Sequence, residues 1–274
     1  MHGDSSGVSR RLGYALIFAS FTSACEPDLV VGSWKCATTP DPAGPHDAGV
    51  DGGVLPLTDP VAVPWSTSFE DGFCGYAKAR GFCYTNPDAS SEITSALAHT
   101  GHHSVKFSVT AESGKDGLQA RCVREGTLPT DAYYGAWYYV PALATNSGDW
   151  NLIHFQTGDQ SSLHGLWDVS LGNASDGGLY LYLFDFLRGS QRRPATLTEI
   201  PIGAWFHVEF RLVRANDTSG EVALYQDGTL LLDVPGVATD DGQIGQVYVG
   251  NLADSITPPA STVYVDDVSI STTL

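Results

Sequence analysis

In WNLIHFQTG, Trp150–Gly158, a histidine and a glutamine stand two residues apart inside an apolar run. An extended chain alternates its side chains, so Leu152, His154 and Gln156 are expected on one face and Asn151, Ile153 and Phe155 on the other. An imidazole can take or give a proton near neutral pH, and a carboxamide beside it can bind hydroxyl groups. WFHVEFRLV repeats the pattern more strongly. Phe206, Val208, Phe210 and Leu212 must face a core, which leaves Trp205, His207, Glu209 and Arg211 in a row on the opposite face. If the two strands belong to one sheet, His154, Gln156, His207, Glu209 and Arg211 share a concave, aromatic-edged surface, with Trp205 and Tyr225 as ring contacts. Aromatic faces stack on pyranose C–H surfaces while polar tips bind hydroxyls, so such a surface suits a carbohydrate.

The elements that would hold these residues are short. SVKFSV, YYGAWYYV, WNLIHFQ, LWDVSL, LYLYLFDFL, WFHVEFRLV, EVALYQDG, QVYVG and VYVDDVSI are β-rich runs of strand length separated by Gly, Asn, Asp and Pro. In EVALYQDGTLLLDV, Asp227-Gly228 supplies a hairpin turn between two alternating runs. SSEITSALAHTG is the best helical candidate, and it is short. The chain has 274 residues with 42% hydrophobic content, enough for one sizeable core. The expected fold is all-β: an antiparallel jelly-roll β-sandwich of two sheets over residues 61–274. Asp and Glu outnumber Lys and Arg by 31 to 14, a net charge of −17, which disfavours nucleic acid and anionic membrane surfaces as partners.

Residues 1–24 have Arg10 and Arg11 ahead of an apolar run and then small residues, the layout of a secretory signal. Residues 25–60 are dense in Pro, Gly, Asp and Ala, with little to bury, and read as a solvated tether. Four cysteines besides Cys25 allow two bridges in an oxidising compartment: Cys36, Cys74, Cys83 and Cys122. Three pairings are open, and Cys74 with Cys83 would close a short loop. No Cys-x-x-Cys spacing for zinc, nucleophile elbow or phosphate loop is present. Arg188, Arg192 and Arg193 form the one dense basic cluster, either a solvated turn or a clamp for acidic sugars. Asp266 and Asp267 alternate across the last strand, so one points inward, to a structural calcium or to a backbone turn. No other cofactor is expected.

The ending Thr22-Ser23-Ala24-Cys25 resembles a bacterial lipobox, which implies lipidation of Cys25 and a membrane-anchored protein facing the periplasm or the cell surface. The order YYGAWYYVP, WNLIHFQ, IPIGAWFHVEFRL, G-x-VALYQDG resembles the concanavalin A-like jelly rolls, in particular polysaccharide lyases of the alginate and heparin lyase type. SALAHTGHHSVKFSV and STVYVDDVSI resemble strands of laminin-G-like and carbohydrate-binding modules. The lyase resemblance implies removal of the C5 proton of a uronate and loss of its C4 oxygen, which needs a base, an acid and a group that neutralises the carboxylate. On that pattern His154 stands for the base and Arg121 for the first Arg; Tyr248 or Tyr225 would have to substitute for the phenolic acid from a neighbouring position, with Arg121 or Arg211 near the carboxylate. The sequence departs from the pattern in four places: Gln156 follows His154 where it has Gln before His, Val123 stands where it has Glu, Val247 where it has Lys, and Leu252 where it has Tyr. The Glu-x-Asp-x-x-Glu strand of laminarinase-type hydrolases is absent. The expected function is therefore carbohydrate binding through an incomplete lyase triad, with β-elimination as the alternative and protein adhesion, as in laminin-G-like modules, as the third reading.

Overall fold

A computed structural model describes residues 59–110, 118–159, 162–240 and 242–274. The signal segment, Cys25, Cys36 and the tether up to residue 58 lie outside the described residues. Two large antiparallel sheets pack face to face as a jelly-roll β-sandwich, the architecture expected from the spacing of strands and turns. The first sheet runs β14 (Thr229–Val237), β13 (Gly220–Gln226), β12 (Trp205–Val213), β6 (Asp131–Tyr139), β17 (Ser261–Ser271), β4 (Ser104–Val109) and β3 (Ala89–Thr94), with β1 (Trp65–Thr67) also on β17. The second runs β11 (Ser190–Arg192), β10 (Leu179–Asp185), β9 (Leu163–Asn173), β8 (Trp150–Gly158), β15 (Ile244–Ala253), β5 (Leu118–Gly126) and β2 (Gly81–Thr85). A ribbon of β7 (Thr145–Asn146) and β16 (Ile256–Thr257) completes the pairing. The helical candidate is not a helix. Its first half pairs with β4 as β3, and the helix found among the described residues is a single turn, α1 (Cys74–Ala77).

Alternation explains the core. On β12, Phe206, Val208, Phe210 and Leu212 are fully buried, and on β10 the same holds for Leu179, Leu181 and Leu183. Large rings fill the space between the sheets, and their polar tips find partners there. Tyr138 Oη donates to the Leu152 carbonyl at 2.8 Å, and Trp167 Nε1 donates to the Thr239 carbonyl at 2.9 Å. Asp227 and Gly228 both have positive φ, 50° and 74°, as the two-residue link between β13 and β14 requires.

Three expectations are corrected. First, β8 lies in the second sheet and β12 in the first, so His154 and His207 face outward on opposite sides of the molecule. Alternation assigns a residue to a face, but the partner of a strand is decided by contacts far away in sequence. Second, β8 carries a bulge: Asn151 pairs with Ser170 and Ile153 with Val169, so Leu152 is an extra residue. Leu152 and Ile153 both enter the core cluster, and Asn151 turns to the same side as His154. Third, Cys83 pairs with Cys122 across β2 and β5, not with Cys74, which is itself disulfide-bonded.

The Cys83–Cys122 bridge spans 39 residues of sequence and fastens the edge strand β2 to its neighbour. Replacing both cysteines by alanine should cost about 2–4 kcal/mol through release of the unfolded chain. Calorimetric melting should show a transition lowered by roughly 4–16 °C.

Candidate functional site

The outward face of the second sheet carries polar and aromatic residues in rows set by strand register. One row reads Phe184, Asp168, His154, Tyr248, Val123 and Phe82 across β10, β9, β8, β15, β5 and β2. A neighbouring row places Gln156 beside Gln246 and Glu125. On the other side, Tyr84 stands opposite Arg121, and Asn151 opposite Ser170. His154, Tyr248 and Arg121 thus meet on one surface.

His154 Nδ1 is held by the Asp168 carboxylate. A carboxylate only accepts, so Nδ1 carries the proton, and the free lone pair is on Nε2. Asn151 Nδ2 donates to the other Asp168 oxygen at 3.3 Å, and Arg121 Nη2 donates to Asn151 Oδ1. This chain fixes the imidazole from beneath. The Tyr248 ring lies 5.2 Å from the His154 ring, and its hydroxyl donates to Gln156 Oε1 at 3.0 Å, with Gln246 Oε1 on the same hydroxyl. The Arg121 guanidinium sits 5.5 Å from the centre of the Tyr248 ring. Tyr84 donates to Gln119 Oε1 at 2.8 Å and meets the Tyr248 ring edge-on at 6.5 Å.

Burial sets the protonation of the phenols. The Tyr248 hydroxyl is pushed well above the ordinary tyrosine value, first by desolvation and then by Tyr84, with Arg121 pulling the other way. Tyr84 is raised by burial against the same arginine, and Tyr182, in the next row on β10, is pushed up to about 12 by burial and then Asp149. Burial works to lower the Arg121 value, while Tyr84, Asp168 and Tyr248 oppose it. The result is a cation under the floor of the site and a neutral phenol above it. His154 and Tyr248 are 9% and 8% exposed, and Arg121 is 3% exposed.

The other expected ligand residues are elsewhere. Trp205, His207, Glu209, Arg211 and Tyr225 occupy the outer face of the first sheet. Arg211 is committed to Asp131 at 2.8 Å and Glu221 at 2.7 Å. His207 sits 5.2 Å from Trp137, whose ring stacks on His99 at 3.7 Å. Burial lowers the His207 value and raises that of Glu209. These rings form a small packed cluster on their own side of the sandwich. Changing His207 or Trp205 to alanine should therefore leave the His154–Tyr248 surface undisturbed, with the nuclear magnetic resonance signals of the His154 ring unshifted in either variant.

Neither aspartate enters the core, contrary to the expectation that one points inward: Asp266 stands beside Trp137 on the outer face of the first sheet, buried under the loop that carries His99 and Thr100. Its carboxylate accepts from the backbone N–H groups of His99 at 2.9 Å, Thr100 at 3.2 Å and Asp267 at 2.8 Å, which is the backbone-turn alternative. Among the described residues no group of three or more His, Cys, Asp or Glu side chains is placed to hold a metal ion. Arg188 and Arg192 reach the buried Asp185 at 2.9 and 3.3 Å, and Arg193 donates through Nε to Gln191 at 3.0 Å.

Sequence reasoning missed Asp168, Asn151 and Tyr84. Asp168 left a signal: a lone carboxylate between Trp167 and Val169 in an apolar strand needs a partner of its own. Asn151 left none, because the bulge that turns it is not visible in the pattern.

No protein-family model matches the sequence, and no curated protein matches it. Solved structures do. The chain is similar to the endo-β-1,4-glucuronan lyase of the fungus Trichoderma reesei, with a TM-score of 0.55 and 16% identity, covering 70% of this chain and 90% of that one. It is also similar to the cellulose induced protein Cip1, with a TM-score of 0.53 and 19% identity over 76% of this chain and 97% of that one. The marine alginate lyase of Aplysia kurodai gives a TM-score of 0.53 and 11% identity, covering 76% and 98%. At these identities the likeness is one of fold, and the fold is that of jelly-roll polysaccharide lyases.

Proposed function

We propose that this protein is a polysaccharide lyase that cleaves a uronate-containing glycan by β-elimination on the outer face of its second sheet. The observation that carries the reading is the pairing of His154 with Tyr248 in register, the first held by Asp168 and the second a protonated phenol. His154 Nε2 takes the C5 proton. The electrons of that C–H bond form the C4–C5 double bond as the C4–O bond breaks, and the leaving oxygen receives the Tyr248 proton. Charge accumulates on the uronate carboxylate as C5 loses its proton, and the Arg121 cation stabilises it from beneath, in a region of low dielectric. The raised phenol separates the roles: a hydroxyl that holds its proton above the usual range is a poor base and remains loaded as an acid. Asp168 is a positioning residue, because it acts through His154.

The test is a rise in ultraviolet absorbance from unsaturated uronate when the full chain is mixed with polyglucuronate, alginate or heparin. The low exposure of His154 and Tyr248 favours a second reading, glycan binding without cleavage. Binding with no absorbance rise would establish that reading in place of the lyase.

Export and a lipid anchor on Cys25 complete the proposal, supported by the order of charged, apolar and small residues before Cys25 and by the Cys83–Cys122 bridge. Cys25→Ala should move the protein from the membrane fraction to the soluble one on cell fractionation. Identical fractionation of variant and wild type as soluble protein would refute the anchor.

A further inference from the structure

Beyond the end of β10, Phe186 lies 41% exposed, a large ring left open to water. Its position is built. A Cβ added at Gly165 would meet the Phe186 ring at 2.8 Å, so the ring lies down on a residue of β9 that has no side chain to lift it. Gly165 pairs with Gln156, and Phe186 presents itself edge-to-face to His154 at 5.8 Å between ring centres. Phe184 supports it from behind, edge-to-face at 4.8 Å. Gln191, opposite Phe184 on β11, holds the guanidinium of the exposed Arg193 through Nε at 3.0 Å. An open aromatic face therefore adjoins the proposed base, with a cation beyond it.

We infer that Phe186 is the stacking platform for the sugar next to the one that reacts, and that it sets how tightly an acidic glycan is held. The inference rests on the proposed carbohydrate function and names a binding residue within it. A pyranose ring presents a C–H face that a flat aromatic ring covers, and Phe has no polar tip that would demand a partner. Its edge contact with His154 brings the two sugars within one glycosidic step of each other. Arg193 suits the carboxylate of a stacked uronate, in a chain whose net charge of −17 otherwise disfavours acidic polymers.

The experiment uses the full-length protein and its Phe186→Ala, Phe186→Tyr and Gly165→Ala variants, with oligosaccharides of polyglucuronate, alginate and heparin. Binding is read by calorimetric titration and cleavage by ultraviolet absorbance. Phe186→Ala should raise Kd, and KM where there is turnover, by about 5- to 10-fold with kcat within about twofold, because stacking is made equally in ground and transition states. Phe186→Tyr should behave as wild type. Gly165→Ala, which keeps the phenylalanine but lifts its ring, should fall between them. Unchanged Kd and KM in Phe186→Ala would overturn the platform and leave the lyase reading standing if the absorbance still rises. Weakened binding in that variant with no absorbance rise in any protein would uphold the platform and overturn the lyase. Absence of wild-type binding to all three glycans would overturn both.

Discussion

His154→Ala is expected to lower turnover of the cleaved glycan by about 10²- to 10⁴-fold, the range for loss of a positioned general base. The fold should survive, because the imidazole faces away from the core and Asp168 keeps the hydrogen bond from Asn151. Binding of oligosaccharide should change much less than kcat. A paired variant makes the assignment specific: Asp168→Asn keeps size and shape but removes the carboxylate that holds Nδ1. It should lower kcat while leaving KM near wild type, since it acts on the orientation of the base and not on sugar contacts. If His154→Ala retains full turnover, the base lies elsewhere.

The second large effect is expected from Tyr248→Phe, which deletes one oxygen and preserves the ring against His154 and Arg121. Loss of the acid should reduce kcat by about 10²- to 10⁴-fold with little change in melting temperature. The pH dependence follows from the raised phenol. An acid works while it holds its proton, so activity that depends on Tyr248 persists as pH rises and is lost only above the ordinary tyrosine value of about 10. The kcat profile should show no alkaline fall due to this group below that pH. A fall near pH 8 that disappears in Tyr248→Phe would contradict the assignment.

The sandwich was legible because alternation survives almost undisturbed on β10 and β12, where every second residue is apolar and the turns carry Gly and Asp. The site was legible in part, for identifiable reasons. His154 and Gln156 announced themselves as polar residues in an apolar run, and Tyr248 as a phenol available from a neighbouring strand. That Tyr248 would stand directly opposite His154, while Tyr225 lies on the far side of the molecule, depends on which strands pair. The aligned pattern alone would have passed over Tyr248, which stands two residues before Gly250 and not at the position of Leu252. His207, Glu209 and Arg211 looked equally functional, but identical alternation is produced by either sheet.

The bulge in β8 has a consequence for how this surface can change over evolutionary time. Between Val249 and Leu252 the adjoining β15 also slips in register, so two neighbouring strands change phase next to His154 and Tyr248. A substitution on the face alters one contact at a time. A single-residue deletion at Leu152 is a different event. It would take a buried side chain out of the core and widen the mismatch with β15, where two residues already stand against one, and so shift Asn151 relative to Arg121 and Asp168 without touching either of them. Descendants of this chain should therefore vary freely in sequence along β8 and β15 while conserving their length, with gains and losses of residues confined to the connecting loops.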